Sequence, residues 1–275
     1  MEELLRGKYR MRVADAQFRF STDSMVLADF ARIRKNSSVL DLGCGCGTIG
    51  FLLLAQDLTL QITGVEIQPQ AAAAAAENVR LNSLSDSFSV IEGDLREYSA
   101  LSLAGRFDAV ISNPPYYSLS SGKPRESETL SIARTEIACS LQELTRAAAG
   151  CLRYGGSFTL VHKPERLVDL VCSLRENRLE PKRLRFVRHS TSSDVSLVLL
   201  EARLGGSPGI RYMPDLILFS ADGEPTEDYR RIYATVNDDS ILRVDCTVRS
   251  VANDGKDANT RNAKPSDGIE SAFTI

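Results

Sequence analysis

The chain has 275 residues, of which 43% are hydrophobic and 25% charged, as in an ordinary soluble globular protein. Its net charge of −3 argues against a generally basic nucleic-acid binder and limits any such contact to a local patch. Six cysteines without paired spacing are typical of reduced thiols in the cytoplasm. The sequence shows no long apolar run and no basic-then-apolar start, so we expect no membrane helix and no signal peptide.

The segment before the first predicted strand, residues 1–37, is expected to form a flap and a helix. Arginines and lysines recur through residues 1–20, either as a solvated terminus or as a flap that contacts phosphate near an active site. The apolar spacing after residue 24 predicts the helix, and Thr22 or Asp23 is expected to cap its amino end.

A glycine-rich turn joins the first predicted strand, Ser38–Leu42, to a helix expected at residues 49–55. The pattern Asp-x-Gly-x-Gly-x-Gly begins at Asp41. Glycines let a ligand approach the backbone, and a helix amino end offers free N–H groups, so this corner predicts nucleotide binding. The spacing differs from the dinucleotide pattern Gly-x-Gly-x-x-Gly and favours a smaller adenosyl ligand. Cys44 and Cys46 form only a lone Cys-x-Cys, so we expect no metal site.

The next two predicted strands lead to acidic residues. An acid that ends the strand Gln61–Glu66, about 20 residues after a glycine turn, is positioned to accept hydrogen bonds from both ribose hydroxyls. A solvated strand-end acid is the alternative. A helix over Pro69–Asn82 and a third strand, Phe88–Ile91, follow. Beyond them Asp94 could accept from an adenine amino group and Leu95 could cover its ring, although Gly-Asp is also common turn chemistry.

The fourth strand stops at a rigid corner. The stretch Phe107–Tyr117 begins as an apolar run typical of a buried strand and breaks at Asn113, where two prolines fix the backbone. The corner presents the Asn113 amide oxygen, the Pro114 carbonyl and the Tyr116 ring, a set that suits a planar NH2 group. Holding both hydrogens favours a pyramidal nitrogen with its lone pair aimed at an electrophile. The alternative is a tight turn with an exposed tyrosine.

A polar loop at residues 118–130 follows, of a length often used for a lid or a substrate contact. Its region supplies three candidate phosphate contacts, or solvated loop charges: Lys123, Arg125 and Arg134. A helix is expected over residues 132–152.

Three further strands complete a predicted sheet of seven. They are Ser157–His162, Arg183–Arg188 and Asp194–Arg203, and a helix is expected over Pro164–Asn177 after the first of them. The span 178–189 is the densest basic patch of the chain. We favour an RNA-backbone contact there over a solvated sheet edge, through Arg183, Arg185 and Arg188.

The expected domain organisation is one domain over residues 1–233 and a tail. The domain comprises the flap and helix (1–37), the core sheet (38–203) and a C-terminal extension (204–233). The extension contains a short strand, Leu216–Phe219, and a helix ending near Tyr233. The polar composition from residue 234 onward predicts a mostly disordered tail over 234–275.

Alternating strands and helices predict a doubly wound sheet. With the glycine motif, Glu66, Asp94 and Asn-Pro-Pro-Tyr, the chain resembles class I S-adenosylmethionine-dependent methyltransferases that modify amines. Further segments recur together in one group of these enzymes: Phe20-Ser-Thr-Asp-Ser, Ile132-Ala-Arg-Thr-Glu, His162-Lys-Pro-Glu-Arg-Leu, Leu199-Leu-Glu-Ala-Arg-Leu-Gly-Gly and the Tyr229–Tyr233 ending. Over residues 5–233 the chain resembles the bacterial tRNA1(Val) adenine-37 N6-methyltransferase family.

This resemblance implies a Rossmann-like α/β domain with a mostly parallel sheet and an antiparallel last strand. It implies methyl transfer from S-adenosylmethionine to an adenine N6 in tRNA, which is easiest for a base in the single-stranded anticodon loop. The catalytic residues that it implies are Asn113, Pro114, Pro115 and Tyr116. The implied cofactor-binding residues are Thr22, Asp23, Asp41, Gly43, Cys44, Gly45, Gly47, Glu66, Ile67, Asp94, Leu95 and Asn113.

Other substrates and roles remain open at this point. A glutamine amide of a release factor also presents a planar NH2, but only 37 residues precede Ser38, too few for the helical substrate domain such enzymes carry. A guanine-N2 or adenine-N6 enzyme of ribosomal RNA is a further alternative. A DNA enzyme is disfavoured because no target-recognition insertion is visible, and a non-enzymatic RNA scaffold is the last alternative. The sequence leaves monomer and homodimer equally open.

Overall fold

The structure is a computed structural model that describes residues 2–4, 9–11, 21–115 and 139–233. The strands are β1 (Glu2–Leu4), β2 (Tyr9–Met11), β3 (Ser38–Leu42), β4 (Gln61–Glu66), β5 (Phe88–Glu92), β6 (Phe107–Ser112), β7 (Leu152–His162), β8 (Leu179–Arg188), β9 (Val195–Leu204), β10 (Arg211–Tyr212) and β11 (Leu216–Ile217). The helices are α1 (Thr22–Phe30), α2 (Thr48–Gln56), α3 (Pro69–Leu81), α4 (Leu141–Cys151), α5 (Leu167–Glu176) and α6 (Glu227–Tyr233). The predictions for Tyr116, for the loop cations and for the tail lie outside the described residues.

The central sheet has nine strands, in the spatial order β10-β8-β9-β7-β6-β3-β4-β5, with β11 also paired to β8. β9 runs antiparallel to both β7 and β8, whereas the other pairs are parallel. The seven predicted strands correspond to β3 through β9, so the predicted doubly wound sheet with an antiparallel last strand is confirmed. β10 and β11 have two residues each, too few to produce a hydrophobic pattern.

Alternate residues of β3 face different helices because successive side chains point to opposite faces of a sheet. Leu40 and Leu42 belong to one apolar cluster with buried residues of α4 and α5, such as Leu144 and Leu170. α1 and α2 contact each other, and α2 also contacts β4. Burial on both faces explains why the central strands are apolar runs without a strict alternation.

Two helix boundaries differ from the sequence expectation. Ser21, and not Thr22 or Asp23, caps α1, since its hydroxyl accepts a hydrogen bond from the backbone N–H of Ser24. The helix expected from residue 132 begins at Leu141 in the described part of the chain. There Ser140 and Glu143 form a reciprocal capping box, which ends the helix on that side.

The order of the strands creates a crevice at one edge of the sheet. β3 lies between β4 and β6 in the sheet. After β3 the chain passes through α2 to β4 on one side, and later it returns to the other side of β3 as β6. Connections diverge at such a switch point, and ligands of doubly wound folds bind there, beyond the carboxyl ends of the strands. The glycine turn after β3 and the proline corner after β6 therefore lie on either side of this crevice.

The three arginines of β8 that were expected to contact RNA have partners within the domain. Arg183 is only 8% exposed. Its Nη2 lies 2.6 Å from Glu201 Oε2 and also donates to the Phe30 carbonyl at 2.8 Å. Arg185 binds Asp228 and the Pro214 carbonyl, and Arg188 binds Asp215 and the Ser193 carbonyl. These three arginines hold the C-terminal part of the domain together.

Replacing Arg183 by leucine should lower the free energy of unfolding by about 3–5 kcal/mol, because Glu201 would keep a buried charge without its partner. Urea denaturation with linear extrapolation measures this change. Arg203→Leu, at an exposed position of β9, is the control and should change stability by less than about 0.5 kcal/mol. Equal losses in the two variants would contradict a structural role for the pair.

Candidate active site

A cavity of about 730 Å³ opens at the carboxyl edge of the sheet. Its walls come from the turns after β3, β4, β5 and β6, from the end of β7 and from the amino end of α1. The predicted residues that it brings together are Asp23, Gly43, Cys44, Gly45, Glu66, Ile67, Asp94, Leu95, Asn113, Pro114 and Pro115. Thr22, Asp41 and Gly47 do not line it. The cavity has a volume suited to a nucleoside-sized ligand.

The glycine turn needs glycine for its backbone conformation. Gly43 and Gly45 have φ of 75° and 55°, in the left-handed region that residues with a Cβ rarely adopt. Both line the cavity, and a Cβ on Gly43 would meet no atom within 4 Å. Gly47, with φ of 90°, is the residue before α2, and a Cβ there would lie 3.3 Å from Phe51 and from Phe88. Gly47 therefore serves packing as well as the turn.

Glu66 closes the turn from the neighbouring strand. Its carboxylate accepts hydrogen bonds from the backbone N–H groups of Gly45 and Gln68, each at 2.9 Å. The side chain is therefore fixed at the cavity wall, where Glu66 is 5% exposed. Each carboxylate oxygen has two acceptor sites, so this arrangement leaves capacity for ribose hydroxyls.

Asp41 carries a buried carboxyl group directly behind the cavity wall. It is 0% exposed and, among the described residues, neither carboxyl oxygen has a hydrogen bond of regular geometry, although the backbone N–H of Gly50 lies close enough to lower its pKa in part. Burial, followed by the negative charge of Glu66, raises the pKa of Asp41 to about 7. A cation bound nearby would stabilise its ionised form. Asp41 does not line the cavity, so any effect of its side chain on a ligand there would be indirect.

Asp94 is at the wall, but its carboxylate already has a strong partner. Arg96 donates to it from Nε at 2.8 and 2.9 Å, from Nη2 and from its backbone N–H. The side-chain hydrogen bond from Arg96 is the main reason that the pKa of Asp94 lies below its ordinary value. An adenine amino group would compete with this guanidinium for the carboxylate, which the sequence pattern did not indicate.

The proline corner is anchored on two sides. The Ser112 hydroxyl donates to the Leu42 carbonyl at 2.8 Å, which ties the end of β6 to β3. The Asn113 amide nitrogen donates to Ser24 Oγ of α1 at 3.1 Å. Asn113 and Pro114 are half-buried and Pro115 is exposed. The corner thus combines a stiff backbone with a side chain held from another element.

Sequence reasoning missed several cavity residues. Ser21 and Ser24 lie in the Phe20-Ser-Thr-Asp-Ser segment, of which the sequence predicted only Thr22 and Asp23 as site residues. His162 and Arg166 lie in the quoted His-Lys-Pro-Glu-Arg segment and also line the cavity. His162 Nδ1 accepts the Lys163 backbone N–H at 2.8 Å, and burial lowers the pKa of His162. The neutral imidazole therefore carries its proton on Nε2.

The described residues offer neither a metal-binding group nor a membrane-spanning helix. No group of three histidine, cysteine or acidic side chains there has an arrangement that would hold a metal ion. Within the same residues, no helix combines the length and the apolar character needed to cross a membrane.

Comparison with known proteins identifies the class of this protein first. Residues 19–171 match the family model of the methyltransferase small domain. The tRNA1(Val) (adenine(37)-N6)-methyltransferase of Porphyromonas gingivalis is 31% identical over 222 residues, which cover 78% of this chain and 86% of that protein. The enzyme of the same name from Actinobacillus pleuropneumoniae is 35% identical over 117 residues, 42% of this chain and 48% of that protein.

The chain therefore belongs to the methyltransferase small domain family and, within it, to the family of tRNA1(Val) (adenine(37)-N6)-methyltransferases. This result confirms the family that the motifs indicated and the prediction of an N-methyltransferase.

Solved structures agree on the fold. A predicted O-methyltransferase from Agrobacterium tumefaciens superposes with a TM-score of 0.64 at 19% identity, covering 78% of this chain and 96% of that one. The cyclase SpnF superposes with a TM-score of 0.50 at 17% identity, covering 67% and 80%. Since a cyclase shares the fold, the fold alone does not identify the reaction.

The raised pKa of Asp41 predicts a pH dependence of stability. Between the ordinary value of 3.8 and the folded value of about 7, the folded protein holds one more proton than the unfolded chain. The free energy of unfolding should therefore fall as pH rises through this range. Asp41→Asn removes this contribution, and its stability relative to the parent should rise by up to about 4 kcal/mol across the range. Parallel pH profiles of the two proteins in urea denaturation would contradict an uncompensated carboxylate.

Proposed function

We propose that this protein transfers a methyl group from S-adenosylmethionine to the N6 atom of an adenine in tRNA, at position 37 of tRNA1(Val). The observation that carries the proposal is the shared cavity. The glycine turn and Glu66 form one part of its wall, and Asn113 and Pro114 form another. The names of the relatives from the same family supply the RNA and the position.

The residues present fit this cofactor. Gly43 and Gly45 expose backbone without side chains, Glu66 offers oxygen acceptors for a ribose, and Leu95 offers an apolar wall for an adenine. The uncompensated carboxyl of Asp41 behind the wall favours a cationic ligand. When bound, S-adenosylmethionine supplies an electrophilic methyl carbon on a positively charged sulfur, which keeps the bonding electron pair when the methyl group leaves.

The proline corner makes the target nitrogen nucleophilic. The lone pair of an adenine amino group is delocalised into the ring, so the free amine attacks poorly. The Asn113 oxygen and the Pro114 carbonyl accept its two hydrogens and draw them out of the ring plane, which returns the lone pair to nitrogen. This lone pair forms the new carbon–nitrogen bond, and one of the two amine hydrogens then leaves as a proton that solvent water accepts. The contribution of the corner is positioning and electrostatic stabilisation.

The remaining site residues complete the proposal. Tyr116 follows the corner in sequence and would stack on the target base, an interaction worth about 1–3 kcal/mol per base. Lys123, Arg125 and Arg134 remain candidate phosphate contacts. The arginines of β8 are not retained, because Arg183, Arg185 and Arg188 are bound within the domain. A tRNA substrate and reduced cysteines support a cytoplasmic location.

Labelled S-adenosylmethionine tests the substrate directly. The protein is incubated separately with unmodified tRNA, ribosomal RNA and release factor, and the labelled product is digested to identify the methylated atom. Label in N6-methyladenosine from the tRNA sample supports the proposal. Label in guanine of ribosomal RNA, or in glutamine of the release factor, would replace it.

Asn113→Ala should abolish methyl transfer while the cofactor dissociation constant stays within about one order of magnitude, because the lost contact acts on the amine in the transition state. Transfer is measured in single-turnover assays and cofactor binding by calorimetry. Asn36→Gly is the matched control. It removes an exposed asparagine with φ of 58° at the opposite end of β3 and should keep full activity. Near-normal turnover of Asn113→Ala would refute the proposed role of the corner.

A further inference from the structure

Helix α1 reaches the proline corner through one side chain. Ser24 is 7% exposed, lines the cavity, and accepts a hydrogen bond from Asn113 Nδ2 at 3.1 Å. The two residues are 89 positions apart in the chain. A long-range hydrogen bond to the side chain of the proposed amine-binding residue is the kind of contact that fixes a reactive group.

We propose that Ser24 is a positioning residue that sets the orientation of the Asn113 amide for the target amine. This inference rests on the proposed function and adds a residue to its site. An asparagine amide has an acceptor on one side and a donor on the other. A half-turn of the amide would present N–H groups to an amine that also carries N–H groups. The Ser24 oxygen holds Nδ2 and so selects the orientation in which Oδ1 is the acceptor for the amine.

Ser24 is itself held by the start of the helix. Its backbone N–H donates to Ser21 Oγ at 3.3 Å and to the Ser21 carbonyl at 3.1 Å. The two hydroxyl oxygens are also 3.3 Å apart. When Ser24 donates in this pair, its hydroxyl hydrogen is committed to Ser21, and only an oxygen lone pair of Ser24 remains for Asn113. The capping residue of α1 therefore contributes to the order of the corner.

The rest of α1 cannot easily shift away from this position. Met25, Val26 and Leu27, which follow Ser24, are each at most 3% exposed. At the other end of the helix, the Phe30 carbonyl accepts from Arg183, and the guanidinium lies 4.4 Å from the centre of the Phe30 ring. A buried helix fixed at its far end can hold the serine oxygen within the small tolerance that positioning requires.

Three variants test the inference in the full-length protein. Ser24→Ala removes the acceptor, and Ser24→Cys keeps a side chain of similar shape with a much weaker acceptor. Ser37→Ala is the matched control, because Ser37 is also 7% exposed but lies just before β3, at the opposite edge of the sheet. Single-turnover methyl transfer gives the rate, calorimetry gives the cofactor dissociation constant, and urea denaturation gives stability.

We expect Ser24→Ala and Ser24→Cys to lower the single-turnover rate about 10- to 100-fold, the effect of a misplaced reactive group, with unchanged cofactor binding. Ser37→Ala should keep the parent rate. A neutron crystal structure of Ser24→Ala, which distinguishes the amide nitrogen from its oxygen, should show the Asn113 amide rotated or in two orientations. Parent-like rates in both Ser24 variants would overturn the inference. A parent-like rate in Ser24→Cys alone would also overturn it, because this result would show that the shape of the side chain matters and its hydrogen-bond acceptor does not.

Failure of the proposed function would look different. If the parent protein methylated another amine, such as a glutamine amide, the same rate ratios would be measured with that acceptor. If the parent transferred no methyl group to any of the three substrates, the proposed function would fall. The orientation of the Asn113 amide in the neutron structure of Ser24→Ala would then decide the positioning claim by itself.

Discussion

At the end of β6 the backbone passes through two prolines. In the proposed mechanism, the side chain of Asn113, just before them, has to present its amide oxygen and not its nitrogen to the target amine. The backbone conformation of this corner is set locally, because proline restricts both its own φ and the residue that precedes it. The orientation of the Asn113 amide is not set locally. It depends on Ser24, which arrives from a helix far earlier in the chain. The proposed chemistry therefore needs the sheet and α1 in register, although neither contributes to the reaction directly.

The charges around the cavity include one that lowers the stability of the fold at high pH. Asp41 is fully buried without a hydrogen bond of regular geometry among the described residues, and Glu66 adds to its unfavourable environment. The pKa of about 7 for Asp41 corresponds to a loss of about 4 kcal/mol at high pH. A core chosen for stability alone would place an apolar residue there. A carboxyl group at this position makes sense when a cation occupies the neighbouring cavity.

Much of the fold was predictable because its signals are local. The strands β3 to β7 alternate with helices except between β5 and β6, which only a short 3-10 turn joins, and each strand is marked by an apolar run that stops near glycine, acid or proline. Gly43 and Asn113 were predictable for the same reason, since their roles depend on backbone conformation at a strand end. Ser24 was not, because a serine near a helix start has an ordinary local explanation as a capping residue. Its neighbour Ser21 takes that role, which leaves Ser24 for Asn113.

The basic patch on β8 shows, for a related reason, what a count of charges leaves out. A count of charges along the chain does not include the acids that fold against them. Glu201, Asp215 and Asp228 are distant in sequence from the arginines that they pair with. Asp94 shows the opposite case, in which the partner, Arg96, is only two residues away and occupies the carboxylate that the adenine was expected to use. A cluster of basic residues in a sequence therefore predicts a binding surface well only where no acidic side chain pairs with those residues in the fold.

The same arginine that was expected to bind RNA links the late strands to the proposed site. Arg183 joins Glu201 of β9 to the last residue of α1 through the Phe30 carbonyl. Arg231 of α6 also pairs with Asp29, one residue earlier in α1. The far end of α1 is thus fixed by the C-terminal part of the domain, while Ser24 near its beginning holds Asn113. In the proposed mechanism, the antiparallel end of the sheet and the C-terminal extension therefore support the helix whose serine holds the amide of Asn113.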